Sequence, residues 1–158
     1  MRKIKLNHGK LSLIDNEDYK IVRGYKWRAK FEHNNWYVLA NERGKTIRMH
    51  RLILGIEDSV IITDHIDGNG LNNQRSNLRV CTKQQNCFNR KVSKNSESKY
   101  KGVGILKDKR KKRYVAYISI NGKRKILGYF YTKESAAERY NIEAKELFGE
   151  FARLNIIK

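Results

Sequence analysis

Asn121-Gly122 stands between two runs that alternate apolar and polar residues, RYVAYISI and KRKILGYFY. An Asn-Gly pair tolerates the positive φ angles of a two-residue hairpin turn, so the two runs are expected to pair antiparallel. YKGVGILKD, just upstream, is a third strand candidate. After Tyr131 the period changes. Ala137, Tyr140, Ala144, Leu147 and Phe148 recur at helical spacing, with Thr132 as the expected N-cap and Gly149 as the terminator. Three strands and one amphipathic helix suffice for a small two-layer domain with one sheet face uncovered.

The first 60 residues are also β-rich. KIKLNHGKLSLID alternates around Asn7-His8-Gly9, and NWYVLANERGKTIRMHRLIL repeats the pattern with Glu42-Arg43-Gly44 at its turn. Trp27, Trp36, Tyr37, Leu39, Ile47 and Leu52 are the expected core. Residues 61–90 read as strand, long loop, strand and helix, with Thr82 capping the helix. A long loop inside a compact unit tends to carry function. The polar stretch RKVSKNSESK has no apolar period, so residues 91–98 read as a linker between a domain over 1–90 and another over 99–158. A long surface loop within one domain is the alternative.

Charge narrows the partners. The 158 residues carry 35 Lys and Arg against 16 Asp and Glu, a net of +19. Residues 99–126 hold eleven basic side chains against Asp108 alone. Such a chain is expected to bind a polyanion, and a generic RNA-coating protein would share that property. Hydrophobic residues at 39% argue against global disorder. No apolar run approaches the roughly 18 residues of a membrane span, and the start has no apolar core of a signal peptide. Cys81 and Cys87 make neither a disulfide framework nor a zinc pair. The expectation is a soluble intracellular protein with reduced thiols and no membrane partner.

The chemistry is concentrated in Asp64-His65-Ile66-Asp67-Gly68-Asn69, followed by Asn72, Asn73, Asn77 and Asn86. A neutral His can take a proton from water near neutral pH. A carboxylate and a carboxamide offer oxygen ligands to a hard divalent cation, which can stabilise charge on a leaving oxygen. Neighbours at a strand end point to opposite sides, so His65 and Asp64 can serve different partners. Singly, each of these residues is more often a turn former or a structural side chain.

MHRLIL followed by DHIDGNGLNNQRSNLRVCTKQQN resembles the HNH endonuclease family, and in particular its phage and intron-encoded homing subgroup. The resemblance covers roughly residues 1–90, with its specific part at 49–89. It implies a ββα-metal fold holding one divalent ion, magnesium or manganese. It also implies His65 as general base, Asp64 and Asn86 as metal ligands, and Asn77 as the residue that holds the loop. His50 matches an upstream histidine with a structural or phosphate-facing role. The products implied are 5′-phosphate and 3′-hydroxyl ends.

A second resemblance covers about residues 98–155. Tyr100-Lys101-Gly102-Val103, the run from Arg113 to Ile118, Ile126-Leu127-Gly128-Tyr129-Phe130 and the helix ending in Leu154-Asn155 look like the plant ethylene-response-factor (APETALA-type) DNA-binding domain. That implies duplex contacts from Lys101, Tyr117, Ser119, Arg124, Ile126 and Tyr129. Gly104, Tyr117, Ser119 and Ile126 depart from that family's Arg, Glu, Arg and Trp, so no target sequence carries over. The inserted KDKRKKR, with Lys109, Arg110, Lys111, Lys112 and Arg113, is expected to touch phosphates.

The expected fold class is therefore α+β: an N-terminal ββα-metal nuclease domain, then a three-stranded antiparallel sheet on one helix. The expected function is metal-dependent, site-specific cleavage of double-stranded DNA by a homing-type enzyme. A monomer or weak dimer with no obligatory protein partner would nick one strand per monomer. The alternative is a DNA-binding regulator whose nuclease half is inactive.

Overall fold

The computed structural model describes residues 1–93, 95–107, 111 and 113–157, and divides into two compact units, Met1–Asn86 and Cys87–Lys158.

In the first unit, β1 (Arg2–Lys5) and β2 (Leu11–Ile14) pair antiparallel around the His8-Gly9 turn. A short helix, α1 (Tyr19–Val22), leads to a meander of β3 (Arg28–Glu32), β4 (Asn35–Glu42) and β5 (Lys45–Arg48). Both meander turns place two residues at positive φ, His33 with Asn34 and Arg43 with Gly44. Such turns match the right-handed twist of paired strands.

The segment MHRLIL departs from the expected strand pattern and forms a helix, α2 (Met49–Leu54). Met49, His50 and Ile53 are its buried residues, so burial follows a helical stripe. Gly55 ends the helix at φ +68, where a side chain would be strained. Then come β6 (Ile62–His65), a loop closing in one 3₁₀ turn at Arg75–Asn77, β7 (Leu78–Cys81) and α3 (Lys83–Phe88). β6 and β7 pair antiparallel, with Asp64 opposite Arg79 and His65 opposite Leu78. Thr82 and Gln85 form a reciprocal capping box, Gln85 N to Thr82 Oγ1 at 3.1 Å and Thr82 N to Gln85 Oε1 at 2.8 Å.

The core of this unit also differs from the expected one. Ile14, Val22, Val38, Met49, Ile53 and Leu78 form it, while Trp36, Tyr37, Ile47 and Leu52 are only half-buried. Trp27 packs against its edge and Leu39 is buried. The reason lies in β4, where Val38, Leu39 and Ala40 are all buried in succession. A strand covered on both faces loses the alternation from which the core was read.

The second unit has β8 (Val103–Ile105), β9 (Tyr114–Ile120) and β10 (Lys123–Phe130) in one antiparallel sheet of order β10-β9-β8. Asn121 and Gly122 make the expected turn at φ +51 and +75. A bulge between Ile126 and Gly128 shifts the register of β10. α4 (Lys133–Phe148) begins at Thr132, whose side chain accepts from Ser135 N, and covers one face of the sheet. Ala136, Ala137, Tyr140 and Ala144 pack on Val103, Ala116 and Ile118. Gly102, at φ +71, admits the Tyr140 ring so closely that a Cβ would lie 2.0 Å from it. Asn155 fastens the chain end, accepting from Lys101 N at 2.7 Å and donating to Lys101 O at 3.0 Å.

Candidate active site

The loop between β6 and β7 is held in place by three sets of polar contacts. β2 runs beside it: Leu13 N donates to Leu71 O at 2.9 Å, and Asn73 N donates to Leu13 O at 2.8 Å. Asp15 accepts from Gln74 Nε2 at 3.1 Å and from Arg75 N at 2.8 Å. Buried Asp18 takes the Arg75 guanidinium, Nη2 to Oδ1 at 2.7 Å. Gly70 sits against β4, where a Cβ would come within 2.2 Å of Trp36 O. Loops with this many fixed polar partners can position a side chain precisely enough for chemistry.

Inside the loop, Asp67 and Asn77 are reciprocal partners. Asp67 N donates to Asn77 Oδ1 at 3.0 Å, and Asn77 Nδ2 donates to Asp67 Oδ1 at 3.0 Å and to Asn72 O at 2.8 Å. Partial burial acts to raise the Asp67 pKa, but bonds from Asn72, Asn69 N and Asn77 prevail and lower it. Asn77 thus ties the start of the loop to its end.

His65 is 5% exposed, and its Nε2 lies 3.3 Å from Asn73 Oδ1. Its ring meets that of His50 edge-on at 4.9 Å between centroids, and Tyr37 stands 6.1 Å from His65 and 6.3 Å from His50. Burial, then the nearby His65 and Arg48, pushes the His50 pKa down to about 3. Burial lowers His65 as well, opposed by the Asn73 contact and by Asp67 and Asp64. Both rings are neutral at pH 7. Nδ1 of His50 is buried with no hydrogen-bond partner among the described residues. His50 and Tyr37 also line an open cleft of about 1050 Å³, with Arg28, Lys30, Arg48 and Arg51 on its walls.

Asp64 is buried beside His65 in sequence, and Arg79 Nη2 closes on its Oδ2 at 2.8 Å. Asn86 lies on α3, its backbone N bonded to Thr82 O at 3.0 Å. Its half-buried carboxamide has no hydrogen-bond partner among the described residues. No cluster of three His, Cys, Asp or Glu suited to a metal occurs among those residues. A carboxylate and an unengaged carboxamide oxygen nevertheless fit the hard-cation pattern in which water and substrate phosphate complete the shell. The chemistry of these two side chains suits a hard divalent cation, with Arg79 as a competing charge at Asp64.

The expected DNA contacts of the second unit fall into three groups. Tyr117, Ser119, Arg124, Ile126 and Tyr129 share the sheet face away from Ala116 and Ile118, since Ile126 pairs with Tyr117 and Arg124 with Ser119. Arg124 lies over the Tyr117 ring at 4.1 Å, and Ile126 and Tyr129 are 54% and 41% exposed. Lys101 is placed differently: its Nζ donates to the carbonyls of Phe88 and Arg90, the latter at 2.9 Å. Burial and nearby Arg153 lower its pKa to about 8. Lys111 and Arg113 are exposed, while Lys109, Arg110 and Lys112 lie outside the described residues.

Three residues of the site were not assigned roles from the sequence. Asn73, Arg79 and Asp67 gain theirs through partners up to 61 positions away, as in the Asn73–Ser12 bond. The only sequence signal was the density of carboxamides between residues 69 and 77.

Comparison with known proteins falls on the same residues. Positions 49–87, from α2 to α3, match the family described as HNH endonuclease. The uncharacterized HNH endonuclease L560 of Acanthamoeba polyphaga mimivirus is 38% identical over 154 residues, spanning 94% of this chain and 76% of that protein. Protein 3.8 of Escherichia phage T7 is 34% identical over 90 residues, 57% of this chain and 72% of that one. No solved structure matches. Identity at this level along nearly the whole chain, with the family match centred on the strand of Asp64 and His65, makes the protein a member of the HNH endonuclease family.

Proposed function

We propose that the protein is a metal-dependent, site-specific DNA endonuclease of the homing type in which His65 is the general base. The observation that carries this reading is the Asp64-His65 pair at the end of β6, buried and followed by a loop braced through the reciprocal Asp67–Asn77 bonds. A neutral imidazole is ready to accept a proton from water, and depression of its pKa keeps it in that form at pH 7. Asp64 and Asn86 would hold magnesium or manganese, which when bound stabilises the negative charge developing on the phosphodiester. The basic cleft beside His50 suits the flanking backbone, where cations position the duplex without reading its sequence.

The second unit supplies the reading surface. Its uncovered sheet face carries an arginine stacked on an aromatic ring, with exposed Ile126 and Tyr129 beside it. One chain offers one Asp64-His65 pair, so a monomer would nick one strand.

One observation favours the alternative of an inactive nuclease half that serves DNA binding: Arg79 already neutralises Asp64. The deciding experiment incubates supercoiled plasmid and phage or bacterial genomic DNA with the protein in magnesium, manganese or EDTA, beside His65→Ala. Nicking that needs metal and is lost in the variant supports the nuclease reading. Tight duplex binding without cleavage of any of these DNAs in either metal overturns it in favour of the regulator.

A further inference from the structure

Asn73 is fully buried and lies between His65 and Ser12, which is also fully buried. Its Nδ2 donates to Ser12 Oγ at 2.9 Å and reaches Gly70 O at 3.5 Å. The Ser12 hydroxyl has one proton, and Leu71 O stands 3.0 Å away to accept it, with Met49 Sδ a weaker acceptor at 3.4 Å. A hydroxyl whose proton is directed elsewhere offers a lone pair to Asn73. This fixes the amide: its nitrogen faces Ser12, so its oxygen faces Nε2 of His65 at 3.3 Å. A carboxamide oxygen only accepts, and the bond made by one imidazole nitrogen decides which nitrogen of the neutral ring holds the proton.

We propose that Asn73, oriented by Ser12, locks His65 in the Nε2–H tautomer and thereby makes Nδ1 the atom that receives the proton of water. The inference rests on the reading of His65 as general base. In the step, a water O–H bond breaks and its proton goes to Nδ1. The water oxygen forms a bond to phosphorus, the bond from phosphorus to the leaving oxygen breaks with its electron pair on that oxygen, and the oxygen takes a proton from solvent. The imidazolium so formed keeps its Nε2–H on Asn73 and returns the Nδ1 proton to solvent. Asn73 and Ser12 touch no reacting atom and are positioning residues. Ser12 belongs to β2, so the hairpin at the start of the chain sets the protonation pattern of a ring 53 residues later.

The test reads the tautomer directly. The full chain, labelled with ¹⁵N-histidine, is recorded above pH 7 in long-range ¹H–¹⁵N correlation spectra, with His65→Ala used to assign the ring. Wild type is expected to show Nε2 protonated and Nδ1 bare. Asn73→Leu is expected to give mixed tautomers and to lower kcat about 10- to 100-fold with KM unchanged. Asn73→Asp keeps an acceptor at Nε2 and should restore both the tautomer and most of kcat. Ser12→Ala frees the amide to turn over and should raise the Nδ1–H form. That variant decides the matter if Asn73→Leu does not fold. A wild-type ring protonated on Nδ1, or a tautomer unchanged in Asn73→Leu and Ser12→Ala, overturns the proposal. Cleavage that survives His65→Ala overturns the base assignment instead, whatever the spectra show.

Discussion

Arg79 reaches across the β6–β7 pair to Asp64, with Nη2 2.8 Å and Nε 3.1 Å from the same oxygen, Oδ2. The antiparallel register makes them direct partners, and both side chains are about nine-tenths buried. A buried carboxylate of this kind must have a cation beside it. Arg79 supplies one when no metal does, and it opposes any metal that arrives.

Replacing Arg79 therefore has two effects of opposite sign. Arg79→Gln leaves Asp64 buried without its ion-pair partner and should cost about 3 kcal/mol of stability. The same change relieves repulsion of a divalent ion and should tighten manganese binding about tenfold, or roughly 1.4 kcal/mol. Denaturant unfolding and manganese titration measure the two separately. A variant that binds manganese more weakly than wild type would contradict a metal at Asp64.

Stability should fall as the solution is acidified below pH 6.5. The folded-state pKa of His50 is pushed down to about 3, so the folded protein binds fewer protons than the unfolded chain between that value and 6.5. Its contribution is complete above pH 6.5 and is lost as pH falls toward 3, at up to about 1.4 kcal/mol per pH unit. Lowered His65 adds to the same trend. Thermal unfolding of wild type and His50→Phe at pH 7.5 and 5.5 checks this. The variant should lose less stability between the two pH values, and equal losses would count against burial of a neutral His50.

Asp18 anchors the loop from below, accepting Arg75 Nε at 3.0 Å and Nη2 at 2.7 Å, while Arg75 Nη2 also donates to Ile53 O at 2.8 Å. Arg75 is 44% exposed and can return to water, so the loss on Asp18→Ala should be moderate, about 2 kcal/mol. Urea midpoints at constant m-value would show it. A change under about 0.5 kcal/mol, the level of a surface substitution, would mean the loop is held without this pair.

Gly102→Ala should destabilise the second unit by about 3 kcal/mol, through an overpacked Tyr140 and a side chain forced to positive φ. Guanidinium unfolding followed by tyrosine fluorescence reports it. Unchanged stability would show that the Tyr140 ring can move aside.

Local chemistry was enough to read several features from the sequence. Asn121-Gly122 makes its turn because two adjacent residues tolerate positive φ, and Thr132 caps α4 through a hydroxyl three residues from its partner. The strand, loop, strand, helix order of residues 62–88 was legible for the same reason, as was the concentration of Asp, His and Asn within it. The strand pattern assigned to Met49–Leu54 failed because a segment of six residues is too short for its period to be told apart. The core of β4 was misread because burial on both faces erases alternation.

The tertiary structure alone decided what each polar group of the site faces. Ser12 meets Asn73 across 61 residues, Asp18 meets Arg75 across 57, and Asp64 meets Arg79 only through the register of a hairpin. Hydrogen bonds and ion pairs act over about 3 Å, and their partners are chosen by how strands and loops pack, at separations where composition and spacing hold no information. The residue types of an HNH endonuclease are written in order along the chain; the orientation of its histidine is set by a hairpin that precedes it by half a domain.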